Sequence, residues 1–86
     1  MQGKRVLIIT DPIHLKPGEY GKWRDNWFVC TPRGNTGNVS GHKIEEHEDG
    51  SITVSPSILI RTSSDGGKTW IDEWHGYLEK GIWREC

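Results

Sequence analysis

The chain contains no alanine, and most of its aliphatic side chains branch at Cβ. Val, Ile and Thr together number 19, whereas Leu and Met together number five. Helices favour Ala, Leu and Met, and the pleated surface of a sheet favours branched and aromatic side chains. This composition argues against a helical bundle. It predicts an all-β chain, in which residues 1–86 form one small antiparallel sandwich or open barrel of about six to seven short strands.

The length and charge of the chain restrict its number of domains, its partners and its location. Its 86 residues suit a single core. Residues 1–43 carry four more basic than acidic side chains, and residues 44–86 carry five more acidic than basic ones. The acidic half argues against general affinity for nucleic acid, which is therefore the less favoured partner. The longest aliphatic run, residues 6–9, is too short for a membrane span or a signal-peptide core, so we expect a cytoplasmic protein that contacts no membrane.

Turn-forming residues divide the sequence into seven predicted strands, because Gly, Pro, Asn and Asp favour turns over ladders. The stretch 14–25 is predicted to be a loop or a meandering edge, and the stretch 32–38 is predicted to form turns. The strands are predicted over residues 4–10, 26–31, 42–48, 51–55, 57–62, 75–79 and 82–86.

Asp49-Gly50 is a strong signal for a hairpin. The sequence leaves open whether its loop has two or three residues. A two-residue loop would place Ile52 and Val54 on the face of Glu45, and a three-residue loop would place them on the face of Ile44.

Lys80-Gly81 predicts a second hairpin with a two-residue loop. That loop would pair Leu78 with Trp83 and would set His75 opposite Cys86.

A third hairpin is predicted between residues 57–62 and 69–74. The residues that join them, Ser63-Ser64-Asp65-Gly66-Gly67-Lys68-Thr69-Trp70, match the pattern Ser-x-Asp-x-Gly-x-Thr-Trp at every specified position. The octet resembles the neuraminidase-type Asp box, in which the Asp carboxylate accepts backbone N–H groups and the Trp folds over the turn. That element is a structural turn and carries no catalysis. A single copy cannot build a propeller, which needs about four or more blades.

The sequence holds few residues that could carry metal or catalytic chemistry. The weak candidates for zinc are Cys30, His42, His75 and Cys86, and their spacing matches no tight pair of ligands. A zinc-supported structural or nucleic-acid-binding domain is therefore the alternative prediction, and otherwise no cofactor is expected. No coherent set of acid, base and nucleophile is present, which favours a protein that is not an enzyme.

Tryptophan is the most informative residue type, because five Trp exceed what a core of this size needs. We expect three of them to supply core volume and two, Trp23 and Trp74, to be partly exposed. Exposed Trp beside cationic side chains can stack on a nucleotide-like ligand or anchor a protein contact. Exposed Trp and free strand edges also favour a possible homodimer. The predicted binding residues are Trp23, Arg24, Arg33, Trp74, His75 and Tyr77.

Three segments occur in the order found in a family of short phage and bacterial proteins known as a domain of unknown function. They are Cys30-Thr31-Pro32-Arg33-Gly34, Thr53-Val54-Ser55-Pro56-Ser57-Ile58 and His75-Gly76-Tyr77-Leu78-Glu79-Lys80-Gly81. The chain resembles this family over about residues 26–84. Relatives carry extra cysteines where this chain has Pro32 and Asp72 or Glu73, so a metal site built by those cysteines is not expected here.

What the resemblance implies is a phage or prophage protein in the cytoplasm of a bacterial host. Phage genomes encode many proteins of this size that bind and block host machinery. The prediction is therefore a non-enzymatic binding module that recognises a host protein or a small nucleotide-like ligand.

Overall fold

Eight strands in two four-stranded sheets make up the computed structural model, which describes residues 1–86. The first sheet has the order β1-β2-β3-β4 and the second the order β5-β6-β7-β8. The strands are β1 (Lys4–Arg5), β2 (Glu19–Trp23), β3 (Asn26–Cys30), β4 (Thr36–Asn38), β5 (Lys43–Glu46), β6 (Ile52–Thr62), β7 (Ile71–Glu79) and β8 (Ile82–Glu85). The only helical element is one 3₁₀ turn, Pro12–His14.

The two sheets face each other across one hydrophobic core. Side chains alternate between the two faces of a strand, so every second residue of the central strands points into the core. From the first sheet and the loop after it come Tyr20, Trp27, Val29 and Val39. From the second come Ile52, Val54, Ile58, Trp74, Leu78 and Trp83. The all-β prediction is confirmed, with one strand more than the largest number expected.

The N-terminal residues join the two sheets along one side. The Met1 carbonyl accepts the Trp83 amide of β8, and the Gly3 amide donates to the Gly81 carbonyl. Three residues later the Val6 amide donates to the Tyr20 carbonyl of β2. This segment therefore covers one edge of each sheet, where exposed ladder groups would otherwise invite other chains. The pairing of β1 with β2 is parallel, so the purely antiparallel prediction is wrong at this position.

Two predicted boundaries in the first half of the chain are wrong, and one open alternative is decided. Only Lys4–Arg5 of the predicted strand 4–10 pairs with a neighbour. Of the two alternatives left open for residues 14–25, a loop or a meandering edge, Glu19–Trp23 forms a strand, which pairs with all but one residue of β3. Thr36–Asn38 likewise pairs with β3 although turn residues dominate its surroundings. Tertiary pairing overrides local preference in both cases.

The second sheet follows the predicted hairpins closely. The loop at Asp49-Gly50 has three residues, since Glu46 pairs with Ile52 and the His47 amide donates to the Ser51 carbonyl. The Lys80-Gly81 loop has two residues, which confirms the pairing of Leu78 with Trp83.

The strands β6 and β7 are longer than predicted. The predicted strands 51–55 and 57–62 form one strand that passes through Pro56. A register shift between Val54 and Ile58 accommodates the proline, which has no N–H for a ladder. The predicted segments 69–74 and 75–79 likewise form one strand, β7, although it begins only at Ile71, and residues 63–70 connect it to β6.

Candidate functional site

Residues 6–15 lie across the outer face of the first sheet, and we call them the crossing segment. A Cβ on Gly21 would overlap the Val6 carbonyl oxygen and contact the Ile8 side chain, so the segment passes directly over this glycine. Pro12, at the start of the 3₁₀ turn, is buried. The Asp11 carboxylate caps this turn by accepting the Ile13 amide at 2.9 Å. Beyond Val6, whose amide bonds the Tyr20 carbonyl, the segment makes no ladder bond and is held on the sheet by these contacts.

An open cleft of about 300 Å³ lies between the crossing segment and the first sheet, and we call it the Trp23 cleft. Side chains alternate along β2, so Trp23 points away from the core that Tyr20 enters. The cleft is lined by Asp11, Pro12, Ile13, Trp23, Phe28, Thr36, Gly37 and Asn38.

Trp23 and Phe28 form the aromatic wall of the cleft. The rings of Trp23 and Phe28 meet edge to face with centroids 6.0 Å apart. Arg24 and Asp25 both have positive φ, as a tight turn between paired strands requires, and the turn returns the chain from Trp23 to Asn26. That turn folds the Arg24 guanidinium back over the Trp23 ring, 4.4 Å from its centroid.

Both apolar and polar side chains line the Trp23 cleft. Pro12, Ile13 and Phe28 supply apolar surface beside the indole. The two polar side chains with a known partner are already engaged, since Asp11 caps the 3₁₀ turn and the Asn38 amide oxygen accepts the Ser40 amide. A cleft of this kind is suited to an apolar side chain, and its one charged lining group is a carboxylate that would repel a phosphate.

A second group of predicted residues lies on the outer face of the second sheet. His75 and Tyr77 alternate with the buried Trp74, Gly76 and Leu78 and therefore point outward. The His75 Nε2 atom is 3.0 Å from the Ser57 hydroxyl oxygen. Arg84, opposite Tyr77 in β8, stacks 4.5 Å from the tyrosine ring centroid. These contacts form an exposed polar patch without a cleft.

The prediction that Trp74 is partly exposed is wrong. Its relative exposure is 3 %, and its ring meets that of Trp83 edge to face at 5.3 Å. The most exposed tryptophan is Trp70, at 55 %, in the connection between β6 and β7. The expectation of three core tryptophans is confirmed, but they are Trp27, Trp74 and Trp83.

The predicted binding residues do not form one surface. Trp23 and Arg24 lie on the outer side of the first sheet, whereas His75 and Tyr77 lie on the outer side of the second. Arg33 is engaged elsewhere, in an exposed ion pair with Glu85 at 2.9 Å. The sequence offered no signal for the other wall of the cleft, because Asp11, Pro12 and Ile13 approach Trp23 only in the folded chain.

The candidate metal ligands are also dispersed. Cys30 is buried in β3, and Cys86 is exposed at the end of the second sheet, where its amide donates to the His75 carbonyl. The His42 Nε2 atom lies 3.0 Å from the Ser57 carbonyl oxygen. The chain contains no group of three or more His, Cys, Asp or Glu side chains that could hold a metal ion.

The two thiols are expected to differ greatly in reactivity. Burial raises the pKa of the Cys30 thiol, so both access and thiolate fraction are low. With a thiol-specific disulfide reagent at pH 8, we expect Cys86 to react at least about a hundredfold faster than Cys30. The variant Cys86→Ser should lose the fast phase, and full denaturation should expose both thiols. Equal rates for the two thiols in the native protein would contradict this burial.

Comparisons with protein-family models, with curated proteins and with solved structures gave no match to this chain. The resemblance to the phage and bacterial family therefore stays a prediction. The structure has no helix with the length and apolar character that a membrane crossing requires.

Proposed function

We propose that this protein is a small non-enzymatic binding module whose Trp23 cleft accepts an apolar side chain of a partner protein. The observation that carries the proposal is the cleft itself, an aromatic and aliphatic pocket held open between the crossing segment and the first sheet. Apolar pockets with an aromatic anchor are where binding energy concentrates in protein interfaces. Ile13, which is 73 % exposed, extends the apolar surface beyond the rim of the cleft.

The geometry favours a protein over a nucleotide-like ligand. A purine would have to displace the Arg24 guanidinium from the face of Trp23. Its phosphates would then lie near the carboxylate of Asp11, which lines the same cleft. The nucleotide remains the second candidate, because an arginine next to an indole is also a common stacking arrangement.

We further propose that the partner is a protein of a bacterial host and that binding hinders its activity. The support for this setting is the resemblance in residues 26–84 to the phage and bacterial family. That resemblance by itself is only an analogy with a family. The chemical argument for a protein partner comes from the Trp23 cleft.

The test compares two tryptophan variants of the full chain. Immobilised protein is exposed to a bacterial lysate, retained proteins are identified by mass spectrometry, and the strongest is purified for calorimetric titration. Trp23→Ala should weaken its affinity about tenfold or more, as the loss of an aromatic anchor does. Trp70→Ala removes an exposed indole outside the cleft and should change the affinity less than about twofold.

Ile13→Lys provides a second variant in case Trp23→Ala alters the fold. Its side chain is exposed, so circular dichroism should be unchanged while binding falls. The proposal fails if neither Trp23→Ala nor Ile13→Lys reduces binding of the purified partner. Quenching of tryptophan fluorescence by adenosine nucleotides, absent in Trp23→Ala, would favour the second candidate instead.

A further inference from the structure

The crossing segment contains four consecutive residues whose backbone makes no hydrogen bond within the chain. Neither the amides nor the carbonyls of residues 7–10 have a partner in the protein. The side chains of Leu7 and Ile9 are 83 % and 80 % exposed. Val6 and Ile8 are half-buried against the first sheet. An aliphatic run with the composition of a strand is thus left without a strand partner on its outer side.

Native proteins usually protect such an edge. Lysine, proline or a bulge along the edge discourages pairing with another chain. None of these devices occurs within residues 6–10, and the flanking charges differ in sign. Arg5 precedes the aliphatic run and Asp11 follows it.

We propose that a second copy of this chain pairs with the crossing segment as an antiparallel strand centred on Ile8. A two-fold axis at Ile8 places Leu7 opposite Ile9 of the other copy and Arg5 opposite Asp11. Both aliphatic side chains that are now exposed then gain cross-strand neighbours. At each end the Arg5 guanidinium, which now pairs with Glu46, also faces the Asp11 carboxylate of the other copy. The bend at Ile9 and Thr10 straightens as the pair forms. This inference goes beyond the proposed function because it concerns self-association of the chain, and the pairing strand shares only Asp11 with the lining of the Trp23 cleft.

The backbone pattern agrees with this register. The Lys4 and Val6 amides donate toward β2, to Gly18 and Tyr20. Alternation along the strand therefore turns the amides and carbonyls of Leu7 and Ile9 to the free side. An antiparallel pair centred on Ile8 joins these two residues through both of their hydrogen bonds.

Other registers of the strand pair place fewer opposite charges next to each other. An axis at Leu7 would place Arg5 opposite Ile9 and leave Asp11 without a cation. A parallel pair would place identical charges next to each other at both ends, which destabilises a strand pair. Self-complementarity of charge and of aliphatic side chains is therefore found only about Ile8.

The association is expected to be modest. Few side chains enter the contact, so the interface falls below the standard size of about 1,600 Å². We expect a dissociation constant on the order of 10 µM.

Sedimentation velocity over a concentration series tests the pairing. The wild-type protein should pass from monomer to dimer, and Leu7→Lys with Ile9→Lys should raise the dissociation constant about tenfold or more, because lysines would face each other. Ile13→Lys is the matched control, since it adds the same charge at an exposed isoleucine outside the strand. It should leave the dimer unchanged, and Trp23→Ala should do so as well. A wild-type protein that stays monomeric at several hundred micromolar (about fifty times the expected constant) overturns the proposal. Equal loss of the dimer in Ile13→Lys does so too.

A charge exchange tests the register. Arg5→Glu and Asp11→Arg each create two like-charge pairs in a self-dimer, so each variant alone should associate about tenfold more weakly. Mixed in equal amounts, the two variants restore both ion pairs and should associate as the wild type does. A mixture that associates no better than its components overturns the register about Ile8.

Arg5 also bonds Glu46 and stacks on Trp27, so its replacement can affect the fold. Amide hydrogen exchange therefore measures the same contact without any substitution. In the unmodified protein, the amides of Leu7 and Ile9 should exchange more slowly as the concentration rises, whereas the amide of Ile8 should not. Exchange at Leu7 and Ile9 that is independent of concentration would contradict the dimer. The two proposals can fail separately. Ile13→Lys should lose binding of the partner protein but keep the dimer, whereas Leu7→Lys with Ile9→Lys should lose the dimer.

Discussion

Replacing Trp83 by alanine is expected to lower the free energy of unfolding by about 3–5 kcal/mol, the range for deleting a buried aromatic side chain. Trp83 is 3 % exposed and packs edge to face on Trp74. Its indole Nε1–H donates to the Gly18 carbonyl at 3.0 Å. A domain of this size has a total stability of about 5–10 kcal/mol, so the substitution should remove a large fraction of it and lower the urea midpoint accordingly. Urea unfolding followed by circular dichroism measures the change.

Two further tryptophan variants show what part of this effect comes from the ring and what part from the hydrogen bond. Trp83→Phe keeps most of the apolar volume and removes only the indole hydrogen bond. The Gly18 carbonyl still accepts the Lys4 amide, so the lost bond should cost about 1 kcal/mol. Trp70→Ala removes an indole of the same size from an exposed position and should change stability by about 0.5 kcal/mol or less. Equal destabilisation by Trp83→Ala and Trp70→Ala would show that the Trp83 ring is not part of the buried core.

The strand pairing of the second sheet could be predicted because residues close together in the sequence specify its turns. Asp49-Gly50 and Lys80-Gly81 each specify a turn between adjacent strands, and the pairing of Leu78 with Trp83 follows from the loop length alone. At Asp49-Gly50 the sequence allowed two registers. The three-residue loop is the one that buries both Ile52 and Val54 while Ile44 packs against the core.

The first sheet was harder to predict because its pairings are not local. Glu19–Trp23 contains a glycine and follows Pro17-Gly18, which are the marks of a loop. It forms a strand because β1 and β3 pair with it on its two sides. Its glycine, Gly21, provides room for the crossing segment on the outer face. This role of Gly21 cannot be inferred from the sequence, because it depends on the position of the crossing segment in the folded chain.

The candidate site was predicted only in part, for a reason that lies in strand alternation. Trp74 would have been placed in the core had residues 71–79 been treated as one strand, because Gly76 and Leu78 share its face. The prediction divided this strand after residue 74 and lost the alternation. Trp23 was identified correctly as half-exposed, but its neighbours Pro12 and Ile13 come from a segment predicted to be another strand and a turn.

Close backbone packing at Gly76 gives the second large expected effect. A Cβ on Gly76 would overlap the Arg84 carbonyl of β8 and the Trp74 ring, so neither strand β8 nor the tryptophan can keep its position. Gly76→Ala should therefore cost about 3 kcal/mol, at the upper end for overpacking of a core. The expected sign is opposite to the usual effect of replacing glycine in a strand, where a side chain normally stabilises. Urea unfolding measures the loss, and the unfolding slope should stay unchanged.

Gly41→Ala is the matched control, since no atom lies within 4 Å of the added Cβ and its φ is not positive. It should be neutral or stabilise by up to about 1 kcal/mol through the unfolded state. Combining Gly76→Ala with Trp74→Leu removes the ring from the overlap but leaves the Arg84 carbonyl in place. The cost of Gly76→Ala should accordingly fall by about 1 kcal/mol when it is measured in the Trp74→Leu background, a coupling expected for residues in contact. A Gly76→Ala protein as stable as Gly41→Ala would mean that β7 and β8 lie farther apart than the pairing of Gly76 with Glu85 requires.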